Sequence, residues 1–170
     1  MRRQDANQSA MERKGPRPID TKAFLTDNRR EILDAAEAGI RRNQLGHYAR
    51  AGDREVRRRL RVLLDLLTEA AATRDLGPVA AYAGALAVER FDGGYDLSEV
   101  QSAFNALEEA VWSRIVARVA PADISEALGL VSTVLGAGKD ALARTYVTLG
   151  TRARLPALDL RALFAGAAGA

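Results

Sequence analysis

The chain has 170 residues, the length of one domain at about 150 residues each, and needs no staples to bury a core. Hydrophobic residues are 48% and charged residues 28%, a folded-protein mix, and the lack of cysteine excludes disulfides, thiolate metal sites and a cysteine nucleophile. A single histidine excludes two- and three-histidine metal sites within the chain, and a net charge of +3 suggests an anionic partner only if the basic residues gather on structure.

Residues 1–20 are polar, with Pro16 and Pro18 beside Gly15, and read as a disordered basic lead. A single helical domain is expected over 21–151, followed by a flexible or weakly docked tail over 152–170. The first helix is placed from an N-cap at Thr26 or Asp27 to Arg42, with Ile32, Leu33, Ala36 and Ile40 as its apolar positions. The second runs from Asp53 to Thr73, where Val56, Leu60, Leu63, Leu64, Leu67 and Ala71 recur at steps of three and four. The third opens at Pro78, is rich in alanine, and stops at Asp92-Gly93-Gly94, which supplies a left-handed cap.

The fourth helix opens on a capping box, with Asp96 as N-cap and Glu99 reaching back. Val100, Phe104, Leu107, Val111 and Ile115 form its stripe. The fifth begins near Pro121 and extends to Leu149. Ile124, Leu128, Val131, Leu135, Gly138, Leu142, Thr145 and Leu149 form a heptad seam that keeps its phase across Gly136-Ala137-Gly138. No alternating strand pattern occurs. Short connections make sequential helices antiparallel neighbours, so the expected fold is all-α: an up-down four-helix bundle with an additional N-terminal helix.

Charge is segregated within this body. Residues 41–61 hold eight arginines against Asp53 and Glu55, and 62–110 hold nine carboxylates against Arg74 and Arg90. Neighbouring helices of opposite sign are the favoured reading. The N-terminus has no apolar core of a signal peptide, and the longest apolar run, Val79 to Val88, is too short to span a bilayer. The expectation is a cytoplasmic protein without a membrane partner.

Five features carry candidate chemistry. Arg54, Arg58 and Arg61 share one face opposite the apolar stripe and form a candidate anion-binding surface. The pairs Asp53–Arg57, Glu55–Arg59 and Arg61–Asp65 at four-residue spacing favour a solvated, internally paired face, and nucleic acid is not the expected partner. His47 falls in the turn between the first two helices and reads as a polar loop residue. Gly136-Ala137-Gly138-Lys139 lacks the earlier glycine and the following Ser or Thr of a phosphate loop, and reads as a tightly packed helix interior.

Arg90 points toward the core side of its helix, within ~40° of Val79, Ala83 and Leu86. It calls for a carboxylate such as Glu99 or Glu108, or marks an anionic-ligand site. Trp112 lies ~120° off the stripe of its helix, on the side of Val116 and Val119. That second apolar side is covered by the first helix or the tail, or is a dimer interface. The heptad seam of the fifth helix is a second candidate dimer surface. No nucleophile, metal or acid–base constellation stands out, so a non-enzyme without a cofactor is expected.

Tyr82-Ala83, then Glu89-Arg90-Phe91 with Gly94 and Leu97, then Glu99-Val100, Ala103, Leu107 and Trp112, give residues of about 60–149 a resemblance to a known family. The segment resembles the RsbRD-type N-terminal domain, which precedes STAS domains in stress-response co-antagonists and begins some sensor kinases and transcription regulators. The resemblance implies an α-helical regulatory or sensory role in signal transduction, acting on a protein partner or small ligand, with no catalytic residues to carry over. Tyr82, Arg90, Trp112 and Val116 are the candidate ligand or interface residues. No STAS, kinase or helix-turn-helix module follows Leu149, so a stand-alone module is expected.

Overall fold

The computed structural model describes residues 19–42 and 53–154. Six helices follow in order: α1 Thr21–Asp27, α2 Arg29–Arg42, α3 Asp53–Thr73, α4 Gly77–Asp92, α5 Leu97–Arg118 and α6 Pro121–Arg154. No strand occurs among the described residues, and the protein is all-α.

The boundaries differ from expectation at both ends. Ile19 packs on the core and Asp20 caps α1, its carboxylate accepting from the Ala23 N–H at 3.0 Å, so these residues are not part of a disordered lead. Thr26 and Asp27 sit in the last turn of α1 rather than at an N-cap. The expected first helix is two helices, separated at Asn28 with φ −98° and ψ 8°. Asn28 is buried; its Nδ2 donates to the Phe24 carbonyl at 2.8 Å, and its Oδ1 accepts from Arg118 Nη1 at 2.8 Å. An amide that bonds a carbonyl one turn back competes with the helical ladder, and α5 holds it there. At the other end α6 continues past Leu149 and past residue 151 to Arg154. The rest of the expected lead and tail, and His47, lie outside the described residues.

The caps follow the sequence closely. Arg74 takes the left-handed conformation after α3 (φ 60°), and the Asp75 carboxylate accepts from the Gly77 N–H at 2.8 Å before Pro78 enters the first turn of α4. Gly94 supplies the positive φ of 73° after α4, and the Tyr95 N–H returns to the Arg90 carbonyl at 3.0 Å. The capping box of α5 is present, with the Asp96 N–H donating to Glu99 Oε2 at 3.1 Å.

Every residue of the apolar stripes read on α2, α3 and α5 is buried. α3 packs against all five other helices. α2 and α5 run in opposite directions: Glu31 meets Arg114 and Arg118, Gly39 meets Ala106, and Arg42 meets Glu109. α5 and α6 also run oppositely, with Tyr95 against Tyr146 and Glu108 against Lys139. α4 and α6 run in the same direction, with Val79 at Gly138, Gly84 at Thr145 and Phe91 edge-on to Tyr146. α6 is unbroken through Gly136-Ala137-Gly138, so that stretch is a packed helix interior and not a phosphate loop. Val131, Leu135 and Leu142 in the seam are fully buried within the chain, while Ile124, Leu128, Thr145 and Leu149 are half-buried.

Candidate functional site

The arginines of α3 are engaged mainly with neighbouring carboxylates. Arg57 reaches across to α2, with Nη1 on Glu37 and Nη2 on Asp34, each at 2.9 Å. Asp65 pairs with Arg29 of α2 rather than with Arg61. The Glu55–Arg59 pair forms at 2.7 Å, and Arg59 continues to Glu89 of α4 at 2.7 Å. Arg58 places Nε and Nη2 on the two oxygens of Glu55 at 2.8 and 2.7 Å. Opposite charge on neighbouring helices is thus part of what joins α3 to α2 and α4. Of the anion-binding candidates, Arg58 is already on a carboxylate, while Arg54 and Arg61 are exposed.

Glu55 titrates at about 2, well below the ordinary 4.5, chiefly through the Arg58 hydrogen bond, with Arg59 adding to it against the opposing effect of burial. Its folded value is depressed, so its contribution to stability is present above about pH 4.5 and is lost as pH falls toward 2. Glu55→Gln should therefore lower the melting temperature near neutral pH, and the gap from wild type should close as melts are repeated toward pH 2. A gap that stays constant with pH would assign the effect to packing.

α3, α4 and α5 enclose a cavity of about 30 Å³. Its interior is apolar, walled by Val56, Leu63, Leu86, Val100, Ala103 and Phe104. Its polar lining comes from Arg59, Tyr82, Arg90, Tyr95 and Glu99. The two α4 candidates, Tyr82 and Arg90, therefore come together here. Arg90 does not take the expected ion pair with Glu108, which is held by Lys139 at 2.7 Å. Its guanidinium lies over the Tyr95 ring instead, 4.4 Å from the centroid. Burial pushes the Tyr82 hydroxyl up, and the nearby Arg59 and Arg58 partly oppose this. Tyr146 donates its hydroxyl to the Tyr95 carbonyl at 3.1 Å and is pushed up to about 12 by burial.

Sequence reasoning missed Arg59 and Tyr95 as lining residues. The available signal for Tyr95 was its place after Gly93-Gly94, where the turn returns the chain over the end of α4. Arg59 gave none, because its link to Glu89 is set by helix packing.

Trp112 and Val116 lie elsewhere, one turn apart on the outer side of α5, and are 41% and 60% exposed. They line a shallow groove with Asn105, Glu108, Glu109, Ser113 and Ala117. α2 packs on α5 without covering them. Val119 is separate from this patch and packs against the core. Among the described residues there is no group of three or more His, Cys, Asp or Glu placed to hold a metal ion. No helix there is long and apolar enough to cross a membrane.

The domain is built of helices, with an apolar cavity on one side of α5 and an exposed tryptophan on another. The family model described as "RsbT co-antagonist protein rsbRD N-terminal domain" matches residues 26–162. The chain belongs to that family, a family of stress-response regulatory domains. The match is broader than the span of about 60–149 suggested by the motif residues, and takes in α2. No curated protein and no solved structure matches the chain.

Proposed function

We propose that this chain is a non-catalytic regulatory module of the cytoplasm that works by binding protein, and that a second copy of itself is one such partner through Trp112 and Val116. The observation that carries this is the exposure of a tryptophan beside a valine on α5. Tryptophan is enriched at interface hot spots. Membership of a regulatory co-antagonist family supports the protein partner. The rival surface, Arg54, Arg58 and Arg61, is weakened because Arg58 is bound to Glu55 through two parallel bonds, from Nε and Nη2. That favours protein over nucleic acid.

Covering the exposed 41% of Trp112 removes roughly 60–100 Å² of apolar surface, worth about 2 kcal/mol at ~25 cal/mol per Å². In a two-fold interface every contact occurs twice. Trp112→Ala should therefore weaken self-association about a hundredfold or more while helicity stays unchanged. Sedimentation velocity over a concentration series checks this. A wild-type protein that stays monomeric, with a variant that merely melts earlier, would leave Trp112 a structural residue.

A further inference from the structure

We infer that the Trp112 side chain of one copy seats in the groove between α2 and α5 of a second copy, and the reverse, about a two-fold axis that crosses α5 at Val111. This rests on the self-association proposed above and names the surface that receives the tryptophan. The groove is open, about 290 Å³ in volume, and is floored by Ala35 and Gly39 of α2 and Ala106 and Ala110 of α5. It adjoins the Trp112 surface directly, since Glu109, Ser113 and Ala117 line both. An exposed ridge thus lies beside a hollow on one face, and such a pair is self-complementary under a two-fold rotation.

Helix register places the parts. Counted from Trp112 at ~100° per residue, Val116 lies at ~40°, Glu109 at ~60° and Ser113 at ~100°, while Ala106 and Ala110 lie at ~120° and ~160°, toward α2. Glu31 is level with Arg114 and Gly39 with Ala106, so Ala35 is level with Ala110. A two-fold axis at the Glu109–Ser113 edge, level with Val111, turns Trp112 of each copy onto Ala35 and Ala110 of the other. The same rotation brings Val116 onto Gly39 and Ala106, and sets Glu109 opposite Ser113. Charge agrees with this docking. The groove carries Arg42 and Arg114 against Glu109, whereas the Trp112 surface carries Glu108 and Glu109 and no cation. Guanidinium groups beside the groove also suit the face of an indole. The area is sufficient. With 14 and 22 residues, α2 and α5 are roughly 21 and 33 Å long and ~10 Å wide. Side by side they present about 540 Å² in projection and more along their relief, which reaches the ~600–1,000 Å² per partner of a standard interface.

The test is sedimentation velocity of the full chain carrying Trp112→Ala or Ala35→Phe, each alone and the two mixed. Ala35 is half-buried at the groove, so the larger side chain fills the groove and leaves Trp112 in place. Ala35→Phe should weaken self-association about tenfold or more, as loss of a hot-spot contact does. In the mixture, the tryptophan of the Ala35→Phe chain meets the open groove of the Trp112→Ala chain, and one of the two seatings returns. The mixed pair should therefore associate about tenfold or more tightly than either variant with itself. If Ala35→Phe fails to fold, Gly39→Leu takes its place in every arm; a Cβ there meets Ala106 Cβ at 3.6 Å and Arg42 Nη2 at 3.7 Å, both ordinary contacts. The inference is overturned if the folded groove variant associates like the wild type, or if mixing restores nothing. A wild-type chain that stays monomeric overturns the self-association reading and this inference with it. A wild-type dimer that is lost with Trp112→Ala and indifferent to the groove variants overturns the inference alone.

Discussion

Gly138→Ala is expected to destabilise the protein by about 1–3 kcal/mol, while Gly136→Ala, two residues away on the same helix, stabilises it by up to about 1 kcal/mol. A Cβ at residue 138 would sit 2.7 Å from Phe104 Cε1 and 3.0 Å from Val79 Cγ1. Phe104 and Val79 are fully buried, so one or the other must shift within the core to admit the methyl. At residue 136 a Cβ would meet nothing within 4 Å, and only the helix-propensity gain of alanine over glycine remains. Thermal melts should move in opposite directions for the two variants, by roughly 2–4 °C per kcal/mol for a chain of this size. Loss of stability in both would mean that the middle of α6 is held by something other than its approach to α4 and α5.

The sign difference between these two glycines marks the limit of what the sequence conveys. Heptad phase placed Gly138 on the seam and Gly136 off it. Periodicity likewise placed the buried stripes of α2, α3 and α5, because a helix has one repeat and one buried face. The caps at Pro78, Gly94 and Asp96 were legible because their chemistry is local. The break at Asn28 was not. No proline or glycine marks it, and the side chain that helps hold it, Arg118, is 90 residues away. The arginine pairing on α3 was half legible for the same reason. Glu55–Arg59 is a local pair and formed, whereas Arg57 and Asp65 found partners on α2 that no spacing rule reaches.

The candidate site divides along the same line. Arg90 was recognisable as a cation on an apolar face, since position on a helix follows from spacing. Its partner was misread because carboxylates were sought, and the residue that takes it is Tyr95, brought under the guanidinium by the turn at Gly94. The cavity itself belongs to no local pattern. It arises where α3, α4 and α5 meet, with Val56, Tyr82 and Ala103 contributed by three different helices.

Phe104→Ala should carry the largest single cost, about 3–5 kcal/mol, because it removes a fully buried ring that both walls the cavity and meets α6 at Gly138. The ring and the glycine are one contact seen from two helices, so their variants should not add. With Phe104 gone, the nearest obstacle to a Cβ at 138 disappears and Val79 at 3.0 Å remains. The new methyl then also fills part of the hole. Gly138→Ala should therefore cost less in the Phe104→Ala background than in the wild type, by about 1 kcal/mol, within the range that neighbouring residues show in double-mutant cycles. Urea denaturation of the two single variants and the double variant measures this coupling. Additivity within about 0.5 kcal/mol would mean that Val79, and not Phe104, sets the close approach of α6 to the core.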